Sequence, residues 1–487
     1  MSKITILNNK NCRLETSDYD FFNKLRRHLS YKLVGVEYTQ AYKNGWDGIN
    51  YLLSKNGTFL AGLLKKVLKF CNENNIKYEL IDKRINTPDE KEIDISEKLK
   101  QLDWVPRDYQ AAILDATVKS AKGIVRACTG SGKTLCASMI TAKFNKPTII
   151  YVIGLDLLGQ FHDTFTNIFD EEIGYVGDGV CNIKRITIAS IWTVGRALDL
   201  KAKDLEIDDG NDKEKFNDND KIKIQEMLKA AKIHILDECH VCNTSTIKEI
   251  HKFINPERIY GLSGTPFRDD GSDLFINGIL GEQIINVPAS DLIERKILVQ
   301  PTIKFLSVPK ISTYGRTYHD IYKEYVVENN IRNEMVVSNT KMLIEKGYSP
   351  LVLFKTIVHG EVLFKMLRDT GVKCELLSGK DKIERRQEVK DMFNNGEIDC
   401  IIASSIFELG VDIPKISALV NAGGSKSTIR TLQKIGRTIR GYPGKDRVAI
   451  VDFYDNVRYL KEHAMRRYKI YSSESGFIVK PCNEMLW

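Results

Sequence analysis

The sequence predicts an α/β chain made of two successive parallel-sheet domains behind a small α/β unit. Three observations carry this reading. From Trp104 to about Val299, helix-like segments alternate with short, continuously apolar strands, the pattern of a parallel sheet. A second block of the same kind runs from about Gln300 to Asp455, with strands expected at Leu351–Phe354, Cys400–Ala403 and Val448–Val451. Within the first block, the apolar run Gly123-Ile124-Val125 passes through a glycine turn into the helical stretch Leu135–Ile140. With 487 residues there is room for about three domains.

Residues 1–86 form the small unit. Strands are expected at Lys3–Leu7 and Cys12–Glu15. Ser17 or Asp18 caps a helix through Ser30 that carries Phe21, Phe22, Leu25 and Leu29 on one face. Tyr31–Tyr38 reads as a further strand. Ile49–Leu53 and Thr58–Ala61 alternate around Lys55-Asn56-Gly57, and Asn-Gly is a hairpin signal because the tight turn needs positive φ. A helix follows with Leu63, Leu64, Val67 and Leu68 inside and Lys65, Lys66 and Lys69 outside. It ends near Asn74-Asn75, before a strand Lys77–Ile81. The loop Tyr42-Lys43-Asn44-Gly45-Trp46-Asp47-Gly48 suits either stacking on bases, with Lys43 on the backbone, or a Trp46 that closes a small core.

Residues 87–103 are charged and read as a linker, which leaves 104–299 and 300–487 as the two larger domains. Asp199 to Lys223 is almost free of apolar residues and reads as a mobile surface insertion with no structure assigned. The chain closes on a basic, aromatic helix with Tyr459, Lys461, His463, Arg466, Arg467 and Tyr468.

The stretch Ala127-Cys128-Thr129-Gly130-Ser131-Gly132-Lys133-Thr134 is where chemistry is expected. A strand, a glycine turn and a helix make a phosphate cradle: backbone N–H groups converge on an anion and the helix N-terminus adds its positive dipole end. Gly130 and Gly132 permit close backbone approach. Lys133 reaches the β/γ-phosphates, and the Thr134 hydroxyl ligates Mg²⁺. Thr129 and Ser131 complete the turn, and Ala127 stands where the strict pattern has glycine. A phosphate cradle also needs a strand that ends in carboxylate. Ile233-His234-Ile235-Leu236-Asp237-Glu238 supplies one, with Asp237 for Mg²⁺ and Glu238 to deprotonate an attacking water. The expected cofactors are therefore ATP and Mg²⁺.

Charge narrows the partners. Net charge is +8, and it is concentrated at the ends: residues 1–86 hold 15 Lys/Arg against 8 Asp/Glu, and residues 415–487 hold 14 against 6. Basic ends around a net acidic middle suggest a polyanion, with evenly spread solubility charge as the plainer alternative. Ten scattered cysteines in apolar segments read as reduced core thiols. Cys239-His240-Val241-Cys242 has zinc-like spacing but lacks a matching second pair. The start Met1–Ile6 carries no secretory pattern, and the longest apolar run, around Ile149–Leu158, falls short of the ~20 residues of a membrane helix. A soluble intracellular protein is expected.

Asp237-Glu238-Cys239-His240 resembles the DExH box of superfamily 2 helicases and translocases, and the other motifs of that family follow in order. The resemblance implies two RecA-like domains that close on ATP. Arg107-Asp108-Tyr109-Gln110 resembles the adenine-reading motif, with Arg107 and Gln110 on the nucleotide. Leu155–Gln160 and Ala189-Ser190-Ile191-Trp192-Thr193 imply nucleic-acid contacts at Gln160, Ser190 and Thr193. Ser263-Gly264-Thr265, with His240, implies coupling of hydrolysis to movement. Val352–Lys355 implies a backbone contact at Lys355. The segment Ala403–Pro414 implies strand contacts at Ser404 and Ser405 and nucleotide contacts at Gly410 and Asp412. Gln433-Lys434-Ile435-Gly436-Arg437-Thr438-Ile439-Arg440 implies a catalytic Gln433 and arginine fingers at Arg437 and Arg440, which lie three apart on one helix face. Such fingers are worth about 10³–10⁵ in rate.

A narrower resemblance joins Lys43-Asn44-Gly45-Trp46-Asp47-Gly48-Ile49 and Asp291–Leu298 to the phage UvsW-type helicases, which are similar to bacterial branch-migration helicases. It implies a 3′→5′ motor on forked and Holliday-type DNA in phage replication, recombination or repair, a basic DNA-binding N-terminal unit, a monomer, and the host cytoplasm. An RNA helicase, an ATP-gated duplex clamp and a restriction-type motor are the competing readings; no nuclease constellation accompanies the last. Phe407 and Tyr442 are candidates by position for a strand-separating wedge.

Overall fold

Parallel strands dominate two of the four β-sheets in the computed structural model of the chain. The structure describes every residue except 33–35, 39, 86, 89, 129, 201–217, 240–243, 265–271, 313, 316, 380, 405–412, 425–437 and 486–487. Two compact units emerge: Met1–Ala127 with Gly132–Asn286, and Val287–Trp487 with the turn Cys128–Ser131. Among the described residues, no helix is long and apolar enough to cross a membrane.

The N-terminal part of the first unit holds β1 (Ser2–Ile6), β2 (Asn11–Glu15), β3 (Ser30–Lys32), β4 (Ile49–Tyr51), β5 (Thr58–Leu60) and β6 (Tyr78–Asp82). Four of these make a sheet in the order β5-β2-β1-β6. Asp18, not Ser17, caps the first helix, Tyr19–His28, by accepting the Phe21 N–H at 2.8 Å. That helix buries Phe21 and Leu25, and Leu29 follows at its C-cap.

Three expectations change here. Of the strand expected over 31–38, the described residues show the end of β3 and a 3₁₀ turn at Val36–Tyr38. The arms around Asn56-Gly57 do not pair along their length: β4 pairs with β3 and β5 with β2, leaving one bridge, Leu53 to Phe59. The turn forms as expected, with the Ser54 N–H donating to the Thr58 carbonyl at 2.9 Å. The arms diverge because β2 offers β5 an extended partner, and pairing there covers the core around Leu14 and Phe59. Tyr42 and Lys43 belong to a short helix, Gln40–Lys43, rather than to a loop.

This small sheet is fastened to the larger sheet domain of the same unit. Lys10 Nζ donates to the carbonyls of His251 and Lys252, both at 3.0 Å. Gly62 lies so close to the helix Asp273–Leu280 that a Cβ would meet the Asn277 carbonyl at 2.2 Å. The charged segment 87–103 is also anchored. Its helix Ser96–Gln101 buries Leu99, and the Ile93 N–H donates to the Ala142 carbonyl. The buried Lys146 ammonium binds Glu257 at 2.6 Å and Thr87 Oγ1 at 3.0 Å.

The larger sheet domain of the first unit carries β7 (Lys122–Ala127), β8 (Thr148–Val152), β9 (Gly174–Gly177), β10 (Val180–Asn182), β11 (Ile186–Ser190), β12 (Ile233–Asp237), β13 (Arg258–Ser263) and β14 (Gln283–Val287). They form one sheet ordered β10-β9-β11-β8-β12-β13-β7-β14. Its central strands are buried along their length, as the continuous apolar runs require. The charged insertion is ordered at its end: Asp218–Ala230 is helical because Ile224, Met227 and Leu228 give it an apolar face. The remainder, 201–217, lies outside the described residues.

The second unit carries β15 (Pro301–Val308), β16 (Pro350–Phe354), β17 (Cys374–Leu377), β18 (Cys400–Ser404), β19 (Ala418–Val420), β20 (Val448–Asp455) and β21 (Ile478–Lys480). The order is β17-β18-β16-β19-β20-β15-β21, and its pairs are parallel. The basic aromatic helix is Leu460–Ser473. Arg467 turns inward from it to bind the buried Asp452 at 2.8 Å, and the Tyr471 hydroxyl donates to the same carboxylate at 3.0 Å. Burial alone would push the Asp452 carboxyl up; the Arg467 guanidinium, with hydrogen bonds from the Phe453 N–H and the Asn421 amide, holds it below its ordinary value.

Candidate ATP site and nucleic-acid contacts

Parallel sheets present their ligand sites at the carboxyl ends of the strands, and the predicted phosphate residues stand there. β7 ends at Ala127, and the helix Lys133–Phe144 begins six residues later. Gly130 and Gly132 take left-handed φ of +89° and +80°. At Gly132 a Cβ would lie 2.5 Å from Gln110 Nε2 on a backbone of φ +80°, so a side chain here would displace the Gln110 amide and strain the turn. Lys133 and Thr134 are the first two residues of the helix, where free N–H groups and the dipole favour an anion.

Gln110 is buried in the first turn of the helix Asp108–Lys119, and its carbonyl oxygen accepts the Arg107 N–H at 2.9 Å. Sequence reasoning put Gln110 on a base edge; here its amide also buttresses the phosphate turn. Arg107 donates from Nη1 to the Tyr109 hydroxyl at 3.0 Å.

β12 and β7 flank β13, so the ends of these three parallel strands gather Asp237, Ser263 and the phosphate turn. Asp237 and Ser263 are buried. Glu238 adopts φ +49°, a left-handed backbone that non-glycine residues rarely take. Lys133 Nζ is 3.1 Å from Glu238 Oε1, and both side chains are largely buried, at 10% and 13% exposure. Lys133, at the start of its helix, and Glu238, just past the end of β12 and 105 positions further on, thus meet within the first unit. Cys239 is a buried core thiol whose Sγ would lie 2.8 Å from a Cβ on Gly261.

The nucleotide fits this turn on one observation: the glycine cradle that a Cβ would fill, opening directly on Lys133 and the helix N-terminus. Lys133 and the turn's N–H groups would hold its phosphates, and it would supply the phosphoryl bond whose cleavage releases free energy.

The expected nucleic-acid contacts fall into different settings. Gln160 is exposed on the helix Leu155–Ile168. Ser190 and Thr193 are buried, and Ser190 Oγ is the cap of the helix Ile191–Ala197, accepting the Thr193 N–H at 3.4 Å. Lys43 is exposed and Trp46 half-buried.

In the second unit, Lys355 is exposed just past β16, and Ser404 ends the adjacent β18 opposite Phe354. Ser404 Oγ and Thr356 Oγ1 are buried hydroxyls without a hydrogen-bond partner among the described residues. With Lys355 they stand at the carboxyl ends of adjacent strands β16 and β18, where unpartnered hydroxyls could serve phosphate oxygens. Thr356 carried no signal in the sequence beyond following Lys355.

Arg440 follows the helical end at Thr438 and is bridged to Leu298; Tyr442 is exposed. Thr129, His240, Thr265, Ser405, Phe407, Gly410, Asp412, Gln433 and Arg437 lie outside the described residues.

Fold and site together define a P-loop motor ATPase with tandem RecA-like domains. Three family models match the chain: Type III restriction enzyme, res subunit, over residues 103–268; Helicase conserved C-terminal domain over 330–442; and DNA helicase UvsW, N-terminal, over 3–82. A similar protein from Enterobacteria phage T4, described as ATP-dependent DNA helicase uvsW, is 25% identical over 95% of this chain and 96% of its own length. Another, a DNA 3'-5' helicase XPB of Mycobacterium tuberculosis, is 22% identical over 80% of this chain and 68% of its own. Mycobacterium smegmatis helicase Lhr, solved with ssDNA and AMP-PNP, shares the fold: its TM-score is 0.54 at 17% identity, over 78% of this chain and 50% of that one. The chain belongs to the superfamily 2 helicases, of the UvsW-like type, and is an ATP-dependent helicase.

Proposed function

We propose that this protein is a DNA motor that translocates 3′→5′ and remodels forked and Holliday-type DNA in phage replication, recombination or repair. The observation that carries the ATPase part is the Lys133–Glu238 pair at the phosphate turn. In this reading Lys133 moves from Glu238 to phosphate when nucleotide binds, and the freed carboxylate takes the proton of the attacking water. Thr134 and Asp237 hold Mg²⁺, Gln110 and Arg107 the base, and Ser131, Gly130, Gly132 and Thr129 the phosphates. Gly410 and Asp412 add nucleotide contacts, and Gln433, Arg437 and Arg440 stabilise charge on the transferring group. Ser263, Thr265 and His240 couple hydrolysis to movement.

The DNA substrate is supported by the T4 and M. tuberculosis relatives, both described as DNA helicases, and by the UvsW N-terminal family match over residues 3–82. Gln160, Ser190, Thr193, Lys355, Ser404 and Ser405 grip the backbone, with Lys43 and Trp46 of a basic domain over 1–86 adding branch contacts. Residues 87–103 join it to motor domains over 104–299 and 300–487. The protein acts as a monomer in the host cytoplasm.

Steady-state ATP hydrolysis at one salt concentration tests the reading, comparing single-stranded DNA, duplex DNA, a four-way junction and single-stranded RNA. Strongest stimulation by the junction is expected. Stimulation by RNA alone overturns the DNA assignment, and none by any of the four overturns the motor assignment.

A further inference from the structure

Lys355 is embedded in aromatic rings that the helicase motifs do not include. Its ammonium stands 4.8 Å from the ring centroid of Tyr318 and 4.9 Å from that of Tyr322, and donates to the Tyr318 hydroxyl at 3.2 Å. Tyr318 in turn meets Tyr459 edge-on at 6.3 Å and 82°, and His463 at 5.4 Å. All of these residues belong to the second unit.

The tyrosines of this neighbourhood divide by what their hydroxyls do. Tyr322 is buried and donates to the Gly423 carbonyl at 2.9 Å; Tyr325 is buried and donates to Pro309; Tyr471 is buried and donates to Asp452. These anchor the core. Tyr318 and Tyr459 are only partly buried, as is His463, and the Tyr318 hydroxyl is spent on an exposed lysine.

Two backbone features hold the rings in place. Tyr459 adopts φ +67°, a left-handed conformation a tyrosine does not take without surrounding constraint. Tyr318–Tyr322 runs directly into a π-helical turn, Lys323–Val327, a rare element frequent at functional sites. Arg458 lies over the Tyr459 ring at 4.6 Å, and the exposed Lys461 and Arg466 follow on the same helix. Nearby acids are partly committed: Asp320 accepts from Thr317, and Glu324 from the Tyr314 N–H. Glu462 stays exposed.

We propose that Tyr318, Tyr459 and His463 form a stacking platform for bases of single-stranded DNA, beside a phosphate held by Lys355. Ring faces accept any base, and the surrounding cations track the backbone, the combination that sequence-independent single-strand binding uses. A motor must hold a strand without reading its sequence, and the phosphate edge at Lys355, Thr356 and Ser404 supplies no base contact. The platform supplies it. The inference rests on the nucleic-acid-binding reading above.

The test uses the full chain and a single-stranded DNA oligonucleotide containing 2-aminopurine, whose fluorescence is quenched by stacking. Wild type and Tyr459→Phe should bind with quenching, whereas Tyr459→Leu and His463→Leu should lose about 5- to 100-fold in affinity, the range of one stacked base. A second measurement on unaltered protein guards against misfolded variants: photocrosslinking with 5-bromodeoxyuridine should label peptides containing Tyr318 or Tyr459. Leucine variants within twofold of wild type, or crosslinks confined to other peptides, overturn the platform while leaving nucleic-acid binding intact. Wild type that binds neither the DNA oligonucleotide nor an RNA counterpart overturns both readings; binding to RNA alone overturns the choice of DNA.

Discussion

Lys133 Nζ and Glu238 Oε1 are 3.1 Å apart, so the ammonium we propose for phosphate binding is engaged with the carboxylate we propose as base. Each charge masks the other in a largely buried setting, and each function begins by separating them. Lys133→Ala is expected to lower ATP turnover by at least about 10²–10³-fold, the cost of removing one preorganised charge. It should also lower the melting temperature, because Glu238 is left without its cation. Turnover within tenfold of wild type would remove the pair from the mechanism.

Glu238→Gln keeps the shape and removes the basicity. Hydrolysis should fall by about 10²–10⁴-fold while nucleotide binding persists or tightens, since Lys133 no longer has a full carboxylate to leave. A fluorescent nucleotide titration beside a turnover assay separates the two effects; joint loss of binding and turnover would contradict the assignment.

Gly132→Ala puts a methyl group 2.5 Å from Gln110 Nε2 and forces an L-residue to φ +80°. The left-handed backbone alone costs about 1–2 kcal/mol. Nucleotide affinity should drop and stability fall by about that amount, as measured by denaturant unfolding. Adding Gln110→Ala relieves the contact but not the backbone, so the double variant should recover only in part.

In the second unit, Arg332 is fully buried and binds Asp455 through Nε at 2.8 Å and Nη2 at 3.3 Å. Arg332→Ala is expected to destabilise that unit by about 3–5 kcal/mol, because it strands a buried carboxylate. Arg332→Met together with Asp455→Leu should cost much less, as read from the unfolding transition of the second unit.

His234 and His359 are buried neutral; burial pushes each down to about 3. His234 shares the Tyr151 hydroxyl at 2.9 Å, and His359 contacts Asn333 Oδ1 at 3.0 Å. Unfolded, each takes a proton near pH 6.5; folded, it does not until pH falls much lower. Stability is therefore retained above about pH 6.5 and lost as pH falls from there towards 3, by about 1.4 kcal/mol per pH unit for each histidine. Urea midpoints at pH 7.5, 6.0 and 5.0 check this, and His359→Gln should reduce the slope.

Much of the candidate site was legible because phosphate binding uses residues adjacent in sequence. Gly130, Gly132, Lys133 and Thr134 need only a strand before them and a helix after, and both are visible in apolar spacing. The burial of Ser190 and Thr193 was not legible, since a helix-capping serine and a strand-contacting serine look alike in one dimension. The same holds for Arg467, which reads as surface charge until Asp452 is placed beneath it. The segment 87–103 resembled a linker because charge dominates its composition, yet Leu99 suffices to seat its helix.

By itself the sequence determined the alternation that builds two parallel sheets, the phosphate turn, the strand-end acids and the basic ends. All of these are local patterns, enforced by backbone sterics, apolar periodicity and composition. Only the tertiary structure decided that Glu238 meets Lys133, that Gln110 backs Gly132, that β4 and β5 seek different partners, and that Tyr318, Tyr459 and His463 gather around Lys355. These are contacts between residues far apart in the chain, and their energy depends on burial and distance, which exist only once the sheets have packed.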